Sequence, residues 1–371
     1  MNARCIELVR KHRPIVTVVG DFMLDGWWSG RIERFAREAP APVVDIEARR
    51  DAPGGAANTA LNLAALGARV RAVGAVGADA AASRLLARLG EAGVDVTRLR
   101  EVPGAQTTTK VRVSVGDEML MRLDRTQTDT WPGAARRRLV NDVAAAAGTS
   151  DALLICDYGS SLLDDETVAA LAGLRRPPLL VVDAHDPRRW RALHPDVVTP
   201  NAAEAERVQG AELGEGSERV GNVDADELFA ETGATAIVVT LDRTGTVLLR
   251  RNRLPHRTYA RPAPEHQASG AGDVFAAALT TARAAGMPLE HAADFAQRAA
   301  DVAVRKSGTC VCSLEELEEP EVSADTGRGD EASDDRDAPG PSRNTTGAAR
   351  AAGDPSRNEH RAARAAGAVI P

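Results

Sequence analysis

The residues with the clearest chemical potential are Gly270-Ala271-Gly272-Asp273, followed by an apolar, small-residue run from Val274 to Ala285. Glycines on either side of one Ala let backbone N–H groups converge where side chains would collide. The run reads as a helix, so those N–H groups stand at a helix N-terminus, which favours anions. A carboxylate beside an anion hole does nothing for binding a phosphate. It makes sense as a base that takes a proton from a hydroxyl attacking phosphorus. The plain alternative is a Gly-rich turn with the Asp as a helix cap.

Other polar residues sit in places that suit the same chemistry. Gly20-Asp21 ends the first apolar run and Asp25 follows four residues later. Ligands of open α/β sheets gather at that edge, where a carboxylate can accept from sugar hydroxyls, or merely close a turn. Gly54-Gly55-Ala56-Ala57-Asn58 lets a ligand approach the backbone, and Asn58 offers both donor and acceptor, as polyol recognition requires. In Asn201-Ala202-Ala203-Glu204 the two polar side chains share a face if a helix opens there. They could hold magnesium beside phosphates, directly or through water, or form a capping box; both readings are compatible. Thr240 to Gly245 is a polar turn that either touches nucleotide phosphates or simply reverses the chain. Lys110, Arg112 and Arg122 lie on alternating segments and could meet a phosphate already present on a substrate, or form a solvated basic face.

These residues need a scaffold. Ile15–Gly20 is a short β-branched run bounded by Pro14, and similar runs recur at Val70–Val76, Leu153–Cys156, Leu179–Val182, Val197–Thr199 and Ile237–Thr240. Helical stretches lie between them at Ala56–Leu66, Ala80–Ala92, Gly133–Ala147, Thr167–Leu174 and Asp226–Thr232. Alternation of this kind predicts an α/β fold with a mostly parallel sheet covered on both faces. Trp27–Ile46 and Thr107–Asp124 instead alternate polar and apolar residues, as antiparallel strands with one wet face do, and predict a small lid sheet. From about Glu319 periodicity vanishes and Gly, Pro, Ser, Asp and Arg dominate, which predicts a disordered tail over 319–371.

Composition narrows the classes. With 46 Lys and Arg against 53 Asp and Glu, the net charge is −7, so a large nucleic-acid footprint is not expected. The four cysteines are too few and scattered for a disulfide framework, and a reducing cytoplasm suits them. Cys310 and Cys312 read as small core residues. No apolar run reaches transmembrane length, and residues 1–14 lack a signal core, so neither a membrane nor an export route is expected. No Gly-x-Gly-x-x-Gly opens a helix after the first strand, which speaks against a dinucleotide oxidoreductase.

The order Gly-Asp, Gly-Gly-x-x-Asn, Asn-x-x-Glu, Gly-Ala-Gly-Asp resembles the ribokinase-like, phosphofructokinase-B-type carbohydrate kinases over roughly Pro14 to Leu317. Within them, Gly20-Asp21-Phe22-Met23-Leu24-Asp25, Glu38-Ala39-Pro40-Ala41-Pro42-Val43-Val44, Thr109-Lys110-Val111-Arg112-Val113 and Met121-Arg122-Leu123-Asp124 look like the heptose-7-phosphate kinase branch. The resemblance implies a ribokinase-like three-layer sandwich with a small β lid (segments 22–48 and 105–126) in one kinase domain, residues 1–318. It implies transfer of the γ-phosphate of ATP to the anomeric hydroxyl of D-glycero-D-manno-heptose 7-phosphate. Asp273 would be the base, with Gly270, Ala271 and Gly272 at the anion hole. Asp21, Asp25, Gly54, Gly55, Asn58, Lys110, Arg112 and Arg122 would bind the sugar phosphate. Asn201, Glu204, Thr240, Gly245 and Ser269 would serve ATP, with Mg2+ near Glu204. A cytoplasmic homodimer through the lid follows from the same likeness. The alternatives are another sugar kinase of the fold, of fructose, ribose or nucleoside type, or a catalytically decayed sugar- or nucleotide-binding protein.

Four departures stand out. Gln267-Ala268-Ser269 replaces Asp-x-Thr, removing a charge that would help hold a monovalent cation. Asp157-Tyr158-Gly159-Ser160-Ser161 and Asp183-Ala184-His185 each lack a lysine that the branch carries. The His-x-Gly-His signature of a fused nucleotidyltransferase is also missing, so the sequence reads as a kinase alone.

Overall fold

The computed structural model describes residues 2–127, 130–216, 218–262, 268–306 and 308–318. Gln267 and the segment expected to be a disordered tail lie outside the described residues. In chain order the elements begin with α1 (Asn2–His12), β1 (Ile15–Gly20), β2 (Phe22–Phe35), β3 (Pro42–Gly55), α2 (Ala56–Ala65), β4 (Arg69–Gly77), α3 (Ala80–Glu91), β5 (Asp95–Val102), β6 (Thr108–Val115) and β7 (Glu118–Arg125). They continue with α4 (Gly133–Ala147), β8 (Ala152–Asp157), α5 (Asp165–Ala172), β9 (Leu179–Ala184), β10 (Val197–Val198), α6 (Ala202–Gln209), α7 (Glu218–Gly221), α8 (Ala225–Thr232), β11 (Ala236–Thr240), β12 (Thr246–Arg250) and β13 (His256–Thr258). The chain then forms β14 (Ala268–Ser269), α9 (Ala271–Ala284), α10 (Leu289–Ala303), β15 (Gly308–Thr309) and α11 (Leu314–Glu318).

Among the described residues the main sheet has nine strands in the order β13-β12-β11-β10-β9-β8-β1-β4-β5. It is parallel from β5 to β11, and β12 and β13 add antiparallel strands at one edge. Each central strand feeds apolar side chains alternately to two cores. Leu154 and Cys156 face one core, while Leu153 and Ile155 face the other. Burial on both faces is why these strands read as unbroken apolar runs rather than alternating ones. α2, α9 and α10 cover the first face; α4, α5, α6 and α8 cover the second. Three layers result. Trp190, Phe275 and Phe295 are the bulkiest of the fully buried side chains, in keeping with an aromatic-poor composition.

The expected lid is present as a separate four-stranded sheet, β3-β2-β6-β7. Its pairing corrects one detail. β2–β3 and β6–β7 are antiparallel hairpins, but the hairpins join through a parallel β2–β6 pair, with Asp25 opposite Lys110 and Trp27 opposite Arg112. β7 is exposed along its whole length, including Met119, Leu120, Met121 and Leu123. Among the described residues no helix is long and apolar enough to cross a membrane.

Candidate active site

Parallel strands present their carboxyl ends on one edge, and the polar residues singled out by sequence collect there. Asp21 follows β1, Tyr158 follows β8, Asp183 lies near the end of β9, Asn201 follows β10 and Thr240 ends β11. α9 starts above this edge. Gly270 caps it at φ 89°, a left-handed conformation that a side chain would strain. Space makes the same demand, because a Cβ there would come 2.4 Å from the Asn58 amide nitrogen. The first bond of the helical ladder runs from Val274 N to Gly270 O (3.0 Å), so the amides of Ala271, Gly272 and Asp273 precede the ladder. Gly270 has no side chain with which to cap them, and among the described residues a Cβ on Gly272 would meet nothing within 4 Å.

Asp273 is buried in the first turn of α9 and held from two sides. Its Oδ2 accepts from Asn58 Nδ2 at 2.9 Å and its Oδ1 accepts from the Tyr158 hydroxyl at 2.5 Å. Asn58 is itself oriented by Asn62, whose Nδ2 donates to the Asn58 backbone carbonyl (3.0 Å) and side-chain carbonyl (3.1 Å). Asn62 Oδ1 in turn accepts from Cys312 N at 2.9 Å, which ties the site to the connection between β15 and α11. Loss of water raises the Asp273 carboxyl to about 6, against the opposing pull of the Tyr158 and Asn58 hydrogen bonds and of the Lys110 charge. A carboxylate tuned to that range is ionised at neutral pH and still a competent proton acceptor.

Asp21 is buried and saturated. Its Oδ2 accepts from Tyr158 N (2.8 Å) and Ser160 N (3.2 Å), and its Oδ1 accepts from the Ser160 hydroxyl. Burial pushes its carboxyl above the usual range. Asp21 thus braces the loop that carries Tyr158. Asp25 accepts from Thr309 Oγ1 at 3.0 Å and lies 3.6 Å from Arg112. A Cβ on Gly54 would sit 2.6 Å from the Asp25 carboxylate, so the Gly54 position must stay bare for Asp25 to fit. Gly55 starts α2 and brings Asn58 into place.

The lid supplies the cations. Arg112 donates to Ser269 Oγ at 3.1 Å and lies 5.3 Å from the Trp27 ring, and its buried Nη1 has no hydrogen-bond partner among the described residues. Lys110 stands across the sheet from Asp25, and its charge is near enough to oppose, without reversing, the rise of both Asp273 and His185. Arg122 differs: it is half exposed and bonded to Asp124 on its own strand, at 2.8 and 2.9 Å.

On the other side, Asn201 and Glu204 form a full capping box at α6. Asn201 Oδ1 accepts from Glu204 N, and Glu204 Oε2 accepts from Asn201 N, both at 2.9 Å. Glu204 Oε1 also lies 2.8 Å from His185 Nδ1, a bond that raises the imidazole above its ordinary value. Among the described residues no three His, Cys, Asp or Glu side chains cluster to hold a metal. The Glu204 oxygens each keep a lone pair beyond these bonds. The site fits a magnesium ion that retains its waters and leans on substrate phosphates, not a closed protein cage. Thr240 bridges to Asn201, and Gly245 closes the β11–β12 turn with Leu241 N donating to its carbonyl (2.8 Å).

Two groups in this arrangement were not singled out by sequence as site residues. Tyr158 spans from Asp21, through its backbone N–H, to Asp273, through its hydroxyl. Asp183 accepts from Thr199 Oγ1 at 2.9 Å and lies 3.1 Å from the same Tyr158 hydroxyl. Their signal was positional, since each stands at the carboxyl end of a parallel strand, as Asp21 does.

A buried carboxylate at a helix N-terminus, at the carboxyl edge of a parallel sheet and under a basic lid, is the arrangement of a phosphotransferase of the ribokinase-like class. Solved structures agree on the fold. Arabidopsis thaliana ribokinase complexed with ribose and ATP superposes with a TM-score of 0.65 at 22% identity, over 82% of this chain and 97% of that one. Escherichia coli phosphofructokinase-2 in complex with substrates and products gives 0.68 at 21%, over 82% and 97%. Residues 16–317 match the pfkB family carbohydrate kinases, and the chain belongs to that family. It is 36% identical to the bifunctional protein HldE of Azotobacter vinelandii over 84% of this chain and 64% of that protein. It is 37% identical to that of Salmonella dublin over 87% and 67%. The chain spans about two thirds of the length of these curated relatives.

Proposed function

We propose that this sugar kinase moves the γ-phosphate of ATP to the anomeric hydroxyl of D-glycero-D-manno-heptose 7-phosphate, giving the 1,7-bisphosphate. The observation that carries the reading is Asp273, poised between Asn58 and Tyr158 at the open start of α9. The likeness to the HldE proteins supports the heptose substrate.

In this reading the sugar hydroxyl gives its proton to Asp273 as its oxygen attacks the γ-phosphorus and the bond to ADP breaks. The amides of Ala271, Gly272 and Asp273 stabilise charge on the phosphoryl oxygens in flight. Asn58, with Asp25 and the bare Gly54–Gly55 backbone, orients sugar hydroxyls, while Asp21 holds the Tyr158 loop. Lys110 and Arg112 receive the sugar phosphate and close the lid against water. Arg122, paired with Asp124, contributes to the field of the lid. Asn201, Thr240, Gly245 and Ser269 line the nucleotide side. Glu204 would hold a magnesium ion through water, and that ion would supply neutralisation of charge on the ATP phosphates. The small number of scattered cysteines suits a cytoplasmic setting, and the apolar β7 face suits a homodimer through the lid.

The test is ATP turnover with heptose 7-phosphate against fructose, ribose and nucleosides. Strong preference for a sugar without a phosphate would replace the heptose reading by another kinase specificity. That alternative has one observation in its favour: Ser160 and His185, where lysines were expected, bond to Asp21 and Glu204. Asp273→Asn should lower kcat by about 10²–10⁴-fold with ATP binding intact. Turnover near the wild-type rate would remove Asp273 from the base role.

A further inference from the structure

The Tyr158 hydroxyl faces two carboxylates at once, Asp273 Oδ1 at 2.5 Å and Asp183 Oδ2 at 3.1 Å. A phenol carries one proton, so it can donate along only one of these lines. The phenol stays protonated, because burial and the charges of Asp273 and Asp183 all oppose its ionisation. If both carboxyls were ionised, one would face the phenol oxygen with no hydrogen between them, at a cost the buried site makes large. A second proton on one carboxyl resolves the conflict, since that carboxyl then donates to the phenol while the phenol donates to the other.

The surroundings decide which carboxyl holds it. Asp273 has a second donor in Asn58 and a cation in Lys110, with Asp25 opposing. Asp183 has one hydroxyl donor, Thr199, and faces the charges of Asp273 and Glu204. Cys156, from β8, is buried with its thiol pushed well up, so it adds no charge, and His185 is bonded to Glu204. We propose that one proton is shared along Asp183, Tyr158 and Asp273 and rests on Asp183, so that Tyr158 donates to Asp273 and keeps the base ionised. Tyr158 and Asp183 are then positioning residues that act through Asp273. Desolvation raises Asp183 to about 7 and Asp273 only to about 6, the same order that the geometry gives. The inference rests on the reading of Asp273 as the base, but its first test does not require turnover.

Carboxyl ¹³C titration of the full chain labelled at aspartate, with Asp183→Asn and Asp273→Asn spectra identifying the two signals, reads the proton directly. Asp183 is expected to titrate above Asp273 in the wild-type protein; Asp183 ionised throughout pH 5–8 overturns the proposal. In Tyr158→Phe the Asp273 midpoint should rise by about one pH unit, because its strongest donor is gone. The acidic limb of kcat/KM should move with it while KM for ATP stays put. In Asp183→Asn the amide can still donate to the phenol, so the limb should stay in place or move to lower pH. A purely structural Tyr158 would lower activity at all pH values and leave the limb unmoved, which also overturns the proposal. Failure of the heptose or base reading would show instead in the turnover assays, with the titration order unchanged.

Discussion

At the scale of single residues, the site depends on a carboxylate kept both dry and deprotonated. Burial raises Asp273 to about 6, while two donors hold it below where burial alone would put it. With this group as the base, kcat/KM should fall as pH drops through about 6 and level off above it, as a pH–rate profile at fixed magnesium would record. Gly270 is the second sensitive residue. A methyl there meets the Asn58 amide and strains a left-handed φ. Gly270→Ala should lower kcat by about 10²-fold, through displacement of Asn58 from Asp273, with a smaller change in thermal midpoint. Steady-state kinetics beside a melting curve separates the two effects.

At the scale of elements, the lid is the part whose composition least suits isolation. β7 exposes Met119, Leu120, Met121 and Leu123 in one strand, at 37–52% of their full areas. Clusters of this kind on an edge strand attract a partner or aggregate unless covered. If the lid pairs two copies, Met121→Glu with Leu123→Glu should give a monomer by light scattering and raise KM for the sugar phosphate, since the lid carries Lys110 and Arg112. A dimer that survives both charges would place the interface elsewhere. α3, α5, α6 and α8 each open on an Asp or Asn whose side chain accepts from the helix's first turn, worth about 1 kcal/mol apiece.

At the scale of the whole molecule, burying carboxyls at this sheet edge costs stability. Asp183 and Asp273 have folded-state values raised above that of a free Asp, so between about 4 and 7 the folded chain binds protons that the unfolded chain does not. Their contribution to stability therefore falls as pH rises through that window. His185 acts in the same direction: its raised value lends stability below the ordinary imidazole range, and this is lost as pH climbs through the folded value. Carboxyls that fold lowers, such as Asp79, Asp95 and Asp164, lose their contribution only at more acid pH. The thermal midpoint should accordingly rise on going from pH 8 to pH 6, and rise less in Asp273→Asn. An equal rise in both would mean that Asp273 titrates alike folded and unfolded.

Sequence alone determined what local forces control. Unbroken β-branched runs marked strands buried on both faces, alternation marked the lid, and Gly270–Asp273 marked the start of α9. These follow from side-chain period and backbone permissiveness, both written into neighbouring residues. The amphipathic α10 and the edge strands β12 and β13 were not read from it, because short or Ala-rich patterns acquire meaning only against the surface they cover. Tertiary structure alone decided the parallel join of the lid hairpins, the use of Asp21 as a brace, and the meeting of Tyr158, Asp183 and Asp273. Tyr158 is 115 residues from Asp273 and 25 from Asp183. No spacing along the chain encodes that contact; it exists because parallel strands stack their carboxyl ends side by side and α9 lies across them.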